Sequence, residues 1–275
     1  TLENLDSLIM ESTYGSRLHD EISDVEDHVA ETIKRAADRG GKIIIPAFSV
    51  GRTQEIIYVI KELISKKKID PITIYVDSPL SRKATDIFRI HPECFDKDLQ
   101  ELIAEGHDPF CMNCDVRFTE SVEDSKALNQ IDGPMIIISA SGMCEFGRIR
   151  HHLANNVSDA KNMLLIVGYM AENTLGRKLI EGVNPVNILG DSYAVNMEVV
   201  IYNAFSGHAD QKGLLDFAQK TGSPKNIFLV HGEDEAQEAL KQELEKLPGL
   251  EKTKVAIPYE TETYVMLEDK SWQKI

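Results

Sequence analysis

The chain has 275 residues, of which 42% are hydrophobic and 27% are charged, a balance typical of a globular protein with at least one full core. No run approaches the eighteen apolar residues of a membrane-spanning helix, and four cysteines are too few for a disulfide scaffold. We therefore expect a cytoplasmic protein with no membrane partner. The formal net charge of −15, taken alone, argues against a nucleic-acid partner.

The first two thirds of the chain alternate between apolar strands and amphipathic helices. In chain order we predict strand 6–10, helix 22–36, strand 42–46, helix 56–64, strand 72–76, strand 135–138, helix 147–155, strand 163–167 and helix 174–181. Continuous apolar strands separated by helices are typical of a parallel sheet covered on both faces, so we predict a doubly wound α/β fold. Between residues 77 and 132 we expect mostly irregular or weakly helical structure.

The pattern changes after residue 182, where the predicted strands become shorter. These elements are strands 186–189 and 195–202, helix 211–219, strand 227–230, helix 235–246 and strand 263–267. The strand at 6–10 has no neighbour before the first helix, so we expect it to pack with this last part. The sequence therefore predicts two domains, one from residues 1–15 and 185–275 and the other from residues 16–184.

Three side chains follow predicted strands or lie beside them in polar surroundings. His208 and His231 lie among serine, glycine and acidic residues, where an imidazole can bind zinc or transfer a proton. Glu11 follows the first strand and could orient such an imidazole. The alternatives are two ordinary surface histidines and an acid near a helix N-terminus, and these residues by themselves do not decide between the two interpretations.

Two strand-to-helix loops, 49–53 and 139–143, are rich in small and hydroxyl-bearing residues. Such loops suit phosphate, since free N–H groups and an arginine can surround it, but small residues also occur there for packing alone. Arg148 and Arg177 open two further predicted helices and could add to a phosphate site or be solvated surface charges. Cys111 and Cys114 have the spacing of zinc ligands, but no second pair follows, so a structural zinc is not favoured.

Taken together, these segments resemble the β-CASP family of metallo-β-lactamase nucleases that process RNA. The matching stretches are LIMESTYG at 8–15, GKIIIPAFSVGRTQEIIY at 41–58, YVDSPL at 75–80, IIISASGMCEFGRIRHHL at 136–153, VGYMAENTLGRKLIEG at 167–182, FSGHADQ at 205–211 and FLVHGE at 228–233. They occur in the family's order, and their residues resemble those of the bacterial and archaeal relatives of the polyadenylation-factor endonuclease. The resemblance implies a β-CASP domain joined to the C-terminal part of a metallo-β-lactamase αββα sandwich.

The resemblance also implies roles for individual residues. Glu11 and His208 match the family's catalytic acid and the histidine that assists the leaving group, and His231 matches a zinc ligand. Contacts to RNA phosphates are implied for Arg52, Ser139, Ser141, Arg148, Arg177 and Ser206. DNA-directed relatives usually carry valine at the position of His208, so the implied substrate is single-stranded RNA. The implied activity is that of a zinc-dependent endonuclease or exonuclease.

The family's HxHxDH metal-binding signature is absent from this sequence. We therefore expect the chain to correspond to the C-terminal portion of such an enzyme and to be inactive alone, because the two zinc ions implied for the complete enzyme need more ligands. The alternative is a non-catalytic RNA-binding or scaffold subunit of an RNA-processing complex. Relatives often dimerise, which leaves a homodimer open.

Overall fold

The structure is a computed structural model that describes residues 5–19, 22–110, 115–268 and 272–275. The chain divides into two compact units, one formed by residues 1–19 and 206–275 and the other by residues 20–205. In the part of the chain that is described, no helix has both the length and the apolar character needed to cross a bilayer.

The described helices and strands are numbered in chain order. The strands are β1 Ser7–Glu11, β2 Lys42–Pro46, β3 Ile74–Asp77, β4 Val116–Phe118, β5 Met135–Ser139, β6 Met163–Ile166, β7 Val186–Ile188, β8 Asp191–Tyr193, β9 Glu198–Ile201, β10 Asn226–Val230, β11 Lys254–Ala256, β12 Tyr264–Met266 and β13 Trp272–Lys274. The α-helices are α1 Ile22–Asp38, α2 Arg52–Ser65, α3 Pro79–Ile90, α4 Lys97–Ala104, α5 Val122–Leu128, α6 Ile149–Asn156, α7 Leu175–Ile180, α8 Gln211–Lys220 and α9 Asp234–Leu244.

A parallel sheet of order β4-β3-β5-β2-β6-β9 forms the centre of the larger unit. Every residue of β2, β5 and β6 is buried, because helices cover both faces of the sheet. Helices α1 and α2 pack on one face, while α6 and α7 pack on the other, where Ile44 meets Leu153 and Leu179 in one cluster. The predicted doubly wound α/β fold is therefore confirmed.

Between residues 77 and 132, where we expected mostly irregular or weakly helical structure, three helices, α3, α4 and α5, and the strand β4 form. Helix α3 is capped by the hydroxyl of Ser78, which accepts a hydrogen bond from the Ser81 amide at 3.1 Å. The residues that α3 buries are Ser81, Ala84 and Thr85. Since these side chains are small or polar, the helix shows little of the apolar periodicity by which a buried face is recognised.

The smaller unit is built on a parallel sheet of order β1-β10-β11, with β12 and β13 forming an antiparallel ribbon. Strand β1 pairs with β10 along its length, from Ser7 opposite Asn226 to Glu11 opposite Val230. Helices α8 and α9 contribute Leu214 and Leu240 to the cluster that covers one face of this sheet. The strand at the start of the chain thus finds its partner near the end.

The two compact units divide after Phe205, about twenty residues later than the domain boundary expected from the sequence. The reason is β9, which pairs in parallel with β6 and so extends the sheet of the larger unit. Its pairs run from Glu198 opposite Met163 to Ile201 opposite Ile166.

Candidate active site

Glu11, His208 and His231 lie together in the smaller unit. Glu11 ends β1, and His231 directly follows β10, whose Val230 lies opposite Glu11 in the parallel pair. His208 comes from the loop that precedes α8. One potential ligand atom from each side chain lies within 4.8 Å of the others. Because parallel strands present their carboxyl ends at the same edge of a sheet, β1 and β10 bring two of these three groups to one place.

The two strand ends approach each other closely. The Ser12 hydroxyl donates a hydrogen bond to the Val230 carbonyl at 2.9 Å, and the Ser12 amide donates to the His231 carbonyl at 3.3 Å. A Cβ atom on Gly232 would lie 2.5 Å from the Ser12 hydroxyl oxygen, so only glycine fits there without displacing its neighbour. This close packing sets the position of His231 relative to Glu11.

A network of local hydrogen bonds holds the loop that carries His208. The His208 amide donates to the Ser206 hydroxyl at 3.2 Å. Asp210, the N-cap of α8, accepts from the Gly213 amide at 2.8 Å and from the His19 amide at 3.2 Å. The loop is therefore tied both to α8 and to the segment that follows β1, which places the imidazole beside Glu11.

Thr13 lies at the centre of the three groups. Its hydroxyl donates to Glu11 Oε2 at 2.5 Å, and His208 Nδ1 lies 2.7 Å from the same carboxylate oxygen. Since the carboxylate can only accept, His208 Nδ1 carries a hydrogen and donates it. His231 Nδ1 lies 3.1 Å from the Thr13 oxygen, whose hydrogen is already given to Glu11, so His231 Nδ1 is the donor there. Both rings are thereby oriented with Nε2 away from these partners.

The carboxylate of Glu11 is held in its ionised form. Burial raises the pKa of this carboxyl, but the Thr13 hydroxyl and the neighbouring His208 lower it by more, so its pKa lies below the ordinary value for glutamate. The rings of His208 and His231 stack with their centroids 5.2 Å apart. The site thus combines an ionised acid with two imidazoles whose tautomers are set by hydrogen bonds.

This donor set suits a zinc ion. Imidazole nitrogen and carboxylate oxygen are common zinc ligands, and a ligating histidine usually donates its other ring N–H to a fixed acceptor, as His231 does to Thr13. Among the described residues, no other group of three such side chains lies within reach of one ion. Two zinc ions would need more ligands than the three side chains of this group.

A second polar cluster lies in the larger unit, around Asp77 at the carboxyl end of β3. Its buried carboxylate accepts hydrogen bonds from His152 Nε2 at 2.6 Å, from the Ser125 hydroxyl at 2.6 Å and from Arg148 Nη1 at 2.7 Å. The hydroxyl of Thr119 is a fourth donor. Burial raises the pKa of Asp77, but the four hydrogen bonds outweigh it and hold the pKa far below the usual range for aspartate.

The arginines for which the resemblance implied phosphate contacts each have a carboxylate partner. Arg52 pairs with Glu55 one turn along α2. Arg148 pairs with Asp77 and also donates to the Glu120 carbonyl at 2.9 Å. Arg177 donates to Glu181 at 2.6 Å. A phosphate at any of these guanidinium groups would compete with an existing ion pair.

The three serines of the implied phosphate sites differ in their accessibility. Ser139 is buried, and its hydroxyl donates to the Asp77 carbonyl at 3.2 Å. Ser141 accepts from the Phe146 amide at 3.2 Å and is partly exposed. Ser206 lies in the loop of His208, as described above, and is also partly exposed. Of the pair in loop 139–143, Ser141 is the better placed to meet a ligand.

The sequence did not single out Thr13 or the Asp77 cluster. Thr13 could have been found because it lies two positions after Glu11, at the same strand end, and its hydroxyl has the hydrogen-bonding capacity that a catalytic acid needs beside it. Asp77 gave a weaker signal, an acidic residue closing a buried strand. The Cys111–Cys114 pair lies outside the described residues.

Two family models match the chain. The Beta-Casp domain matches residues 53–179, and the Zn-dependent metallo-hydrolase RNA specificity domain matches residues 192–258. The first match covers most of the large parallel sheet, and the second includes His208 and His231. The two matches are consecutive along the chain.

Curated relatives match over most of the chain. Ribonuclease TTHA0252 of Thermus thermophilus is 36% identical over 235 residues, which are 86% of this chain and 53% of that protein. Transcription termination factor FttA of Methanosarcina mazei is 32% identical over 241 residues, which are 84% of this chain and 38% of that protein. An RNase J-like protein of Methanocaldococcus jannaschii is 32% identical over 234 residues, 84% of this chain and 53% of that protein. The chain thus spans about half the length, or less, of these relatives.

Proposed function

Because the chain belongs to the β-CASP family of RNA-processing nucleases, over the C-terminal portion of its relatives, we propose that the protein is a zinc-dependent ribonuclease that hydrolyses phosphodiester bonds of single-stranded RNA. The observation that carries the proposal is the pair of Glu11 Oε2 and His208 Nδ1 at 2.7 Å, with His231 beside it. Relatives named as ribonucleases support the choice of RNA.

In this proposal, His208 gives a proton to the leaving group. Ionised Glu11 accepts the hydrogen bond from His208 Nδ1–H, which fixes the orientation of the ring. No described residue donates to or accepts from His208 Nε2, so that atom is available to give a proton to the oxygen released when the phosphodiester bond breaks. Thr13 keeps Glu11 in place by its own hydrogen bond.

His231 would hold the metal through Nε2, because its Nδ1–H is engaged by Thr13. Zinc bound at this residue would supply positive charge to the phosphate oxygens and lower the pKa of a water ligand. A metal held there would add positive charge locally, which matters because phosphate binding depends on the local potential rather than on the net charge of −15.

The test is cleavage of an end-labelled single-stranded RNA by this chain and by the protein translated from its natural start codon, each with and without a chelator. We expect chelator-sensitive cleavage, restored by zinc, from the protein translated from its natural start codon. We expect this chain alone to bind RNA without cutting it, because the described donor set has only three side chains. Binding of RNA by both proteins with cleavage by neither contradicts the proposal and favours a non-catalytic RNA-binding or scaffold subunit.

A further inference from the structure

Two exposed phenyl rings flank the turn that follows β5 in the larger unit. Strands β2 and β5 are neighbours in the sheet, with Pro46 opposite Ser139, so the loops that follow them emerge side by side. Phe48, two residues beyond β2, lies over Gly142, whose added Cβ would come within 2.9 Å of the ring. Phe146 lies in the same turn, five residues after Ser141.

The turn is held by its own hydrogen bonds. The Ser141 amide donates to the Phe146 carbonyl at 3.2 Å, and the Phe146 amide donates back to the Ser141 hydroxyl at 3.2 Å. The Ile149 amide donates to the Ala140 carbonyl at 3.3 Å, which ties the end of the loop to its beginning. Gly147 has a φ of +75°, and an added Cβ would lie 2.7 Å from the Ala140 carbonyl oxygen. The backbone that carries Phe146 is therefore fixed in one conformation.

This fixed backbone presents its aromatic side chain to solvent. Phe146 is 75% exposed and Phe48 is 56% exposed. Large apolar side chains that cluster on a rigid, exposed surface contribute little to folding and commonly mark a binding surface. Here the surface lies at the carboxyl ends of parallel strands, where ligands of open α/β sheets bind.

Polar groups suited to a nucleotide backbone accompany the rings. Ser141, in the same turn as Phe146, is partly exposed. Arg150 lies four positions after Phe146 on α6, and no described residue forms an ion pair or a hydrogen bond with its guanidinium group. The acid of the loop, Glu145, is engaged by the Leu175 amide at 2.5 Å. Exposed aromatic rings, a hydroxyl in the same turn and a cation on the helix that follows it are groups of the kind by which proteins bind single-stranded nucleic acid.

We propose that Phe48 and Phe146 form a stacking platform for the bases of single-stranded RNA, with Ser141 and Arg150 contacting its phosphates. The inference rests on the proposed function and names the part of the protein that binds unpaired bases. Duplex RNA is excluded as the ligand, because its bases are stacked on one another and leave no face for a phenyl ring.

The test measures the affinity of the chain for a fluorescein-labelled single-stranded RNA by fluorescence anisotropy, in chelator so that no cleavage occurs. Phe48→Ala and Phe146→Ala should each raise the dissociation constant about tenfold, within the range expected for loss of one stacked base. Phe146→Trp keeps an aromatic ring at this position and should bind the RNA with the affinity of the wild type. Phe217→Ala is the matched control, because Phe217 is 46% exposed on α8 in the other unit and should leave the affinity unchanged.

A second RNA of the same length, with abasic sugars at internal positions, separates stacking from phosphate contacts. The wild-type chain should bind it more weakly, and the two alanine variants should then bind it as well as the wild type does. Variants that keep the wild-type circular dichroism spectrum and bind the base-containing RNA with unchanged affinity overturn the stacking inference alone. Absence of any RNA binding by the wild-type chain contradicts the inference, while cleavage by the protein translated from its natural start codon still decides the proposed function separately.

Discussion

The carboxylate of Glu11 and Nδ1 of His208 lie 2.7 Å apart although 197 positions separate the two residues in the chain. Thr13 donates to the same carboxylate oxygen and accepts from His231, so the acid contacts His208 directly and His231 through one hydroxyl. The chemistry assigned to the site depends on this three-way contact more than on any of the residues alone.

The two histidines should differ in their effects on metal content. We expect His208→Ala to slow cleavage about 100- to 10,000-fold, the usual contribution of a positioned acid–base group, while zinc remains bound. His231→Ala should lower both zinc content and cleavage, because it removes a ligand. The measurements are single-turnover cleavage of RNA and zinc by mass spectrometry, in the protein translated from its natural start codon.

His107→Ala is the control for these two variants, since His107 is only partly buried and lies in the larger unit. It should change neither zinc content nor cleavage rate. Loss of zinc in His208→Ala would contradict the role assigned to His208 and make it a ligand.

Thr13 should matter through its hydroxyl rather than its size. Thr13→Val keeps the shape of the side chain but removes the hydrogen bonds to Glu11 and His231, so we expect zinc affinity or cleavage to fall about 10- to 100-fold, as for other partners of metal ligands. Thr13→Ser keeps the hydroxyl and should retain most of the activity. Equal activity of the valine and serine variants would show that the hydroxyl has no role.

The carboxylate of Asp77 should be a large contributor to the stability of the larger unit. Asp77→Ala leaves the charge of Arg148 and the donors of His152 without their buried partner, and breaking such a pair costs about 3–5 kcal/mol. The free energy of unfolding can be measured by urea titration followed by far-ultraviolet circular dichroism. Asp86→Ala is the control, because its pair with Arg89 is exposed and should contribute less than about 1 kcal/mol.

The titration of Asp77 should make the free energy of unfolding depend on pH. Because the pKa of Asp77 is lower in the folded protein than in the unfolded chain, its contribution is fully present above the unfolded pKa of about 4 and is lost as the pH falls toward the folded pKa. We expect the free energy of unfolding to fall more steeply below about pH 4 in the wild type than in Asp77→Asn, which cannot titrate. Parallel pH profiles for the two proteins would contradict this.

Gly41 should tolerate no side chain. A Cβ atom there would lie 1.8 Å from the Lys161 carbonyl oxygen, so β2 or its neighbour must move, at a cost of about 1–3 kcal/mol. The same urea titration measures this loss in Gly41→Ala. Gly168→Ala is the matched control, because nothing lies within 4 Å of its added Cβ, and it should unfold like the wild type.

Local patterns were sufficient to predict most of the larger unit. The run 42–46 coincides with β2, and the buried strands β5 and β6 were expected within a residue of their observed ends. These strands are apolar throughout because both faces of the sheet are covered, which is a strong signal. Helix α3 was missed because its buried face is made of small and polar residues, and β4 was missed because it has only three residues.

The sequence alone determined which residue types stand at the ends of the strands, and a resemblance over several ordered motifs identified Glu11, His208 and His231 among them. Alternation of apolar and polar residues encodes secondary structure locally, so strands, helices and their ends can be predicted without contacts. The sequence also predicted that the first strand would pack with the last part of the chain, because that strand has no neighbouring strand before the first helix.

Only the tertiary structure decided how these residues meet. The register of β1 against β10, the contact of Thr13 with His231 and the pairing of Arg148 with Asp77 all depend on contacts between distant segments. Such contacts arise when side chains pack and desolvate together, and no local pattern records which polar atoms will then face each other. For the same reason, the exposure of Phe48 and Phe146 was evident only in the folded structure.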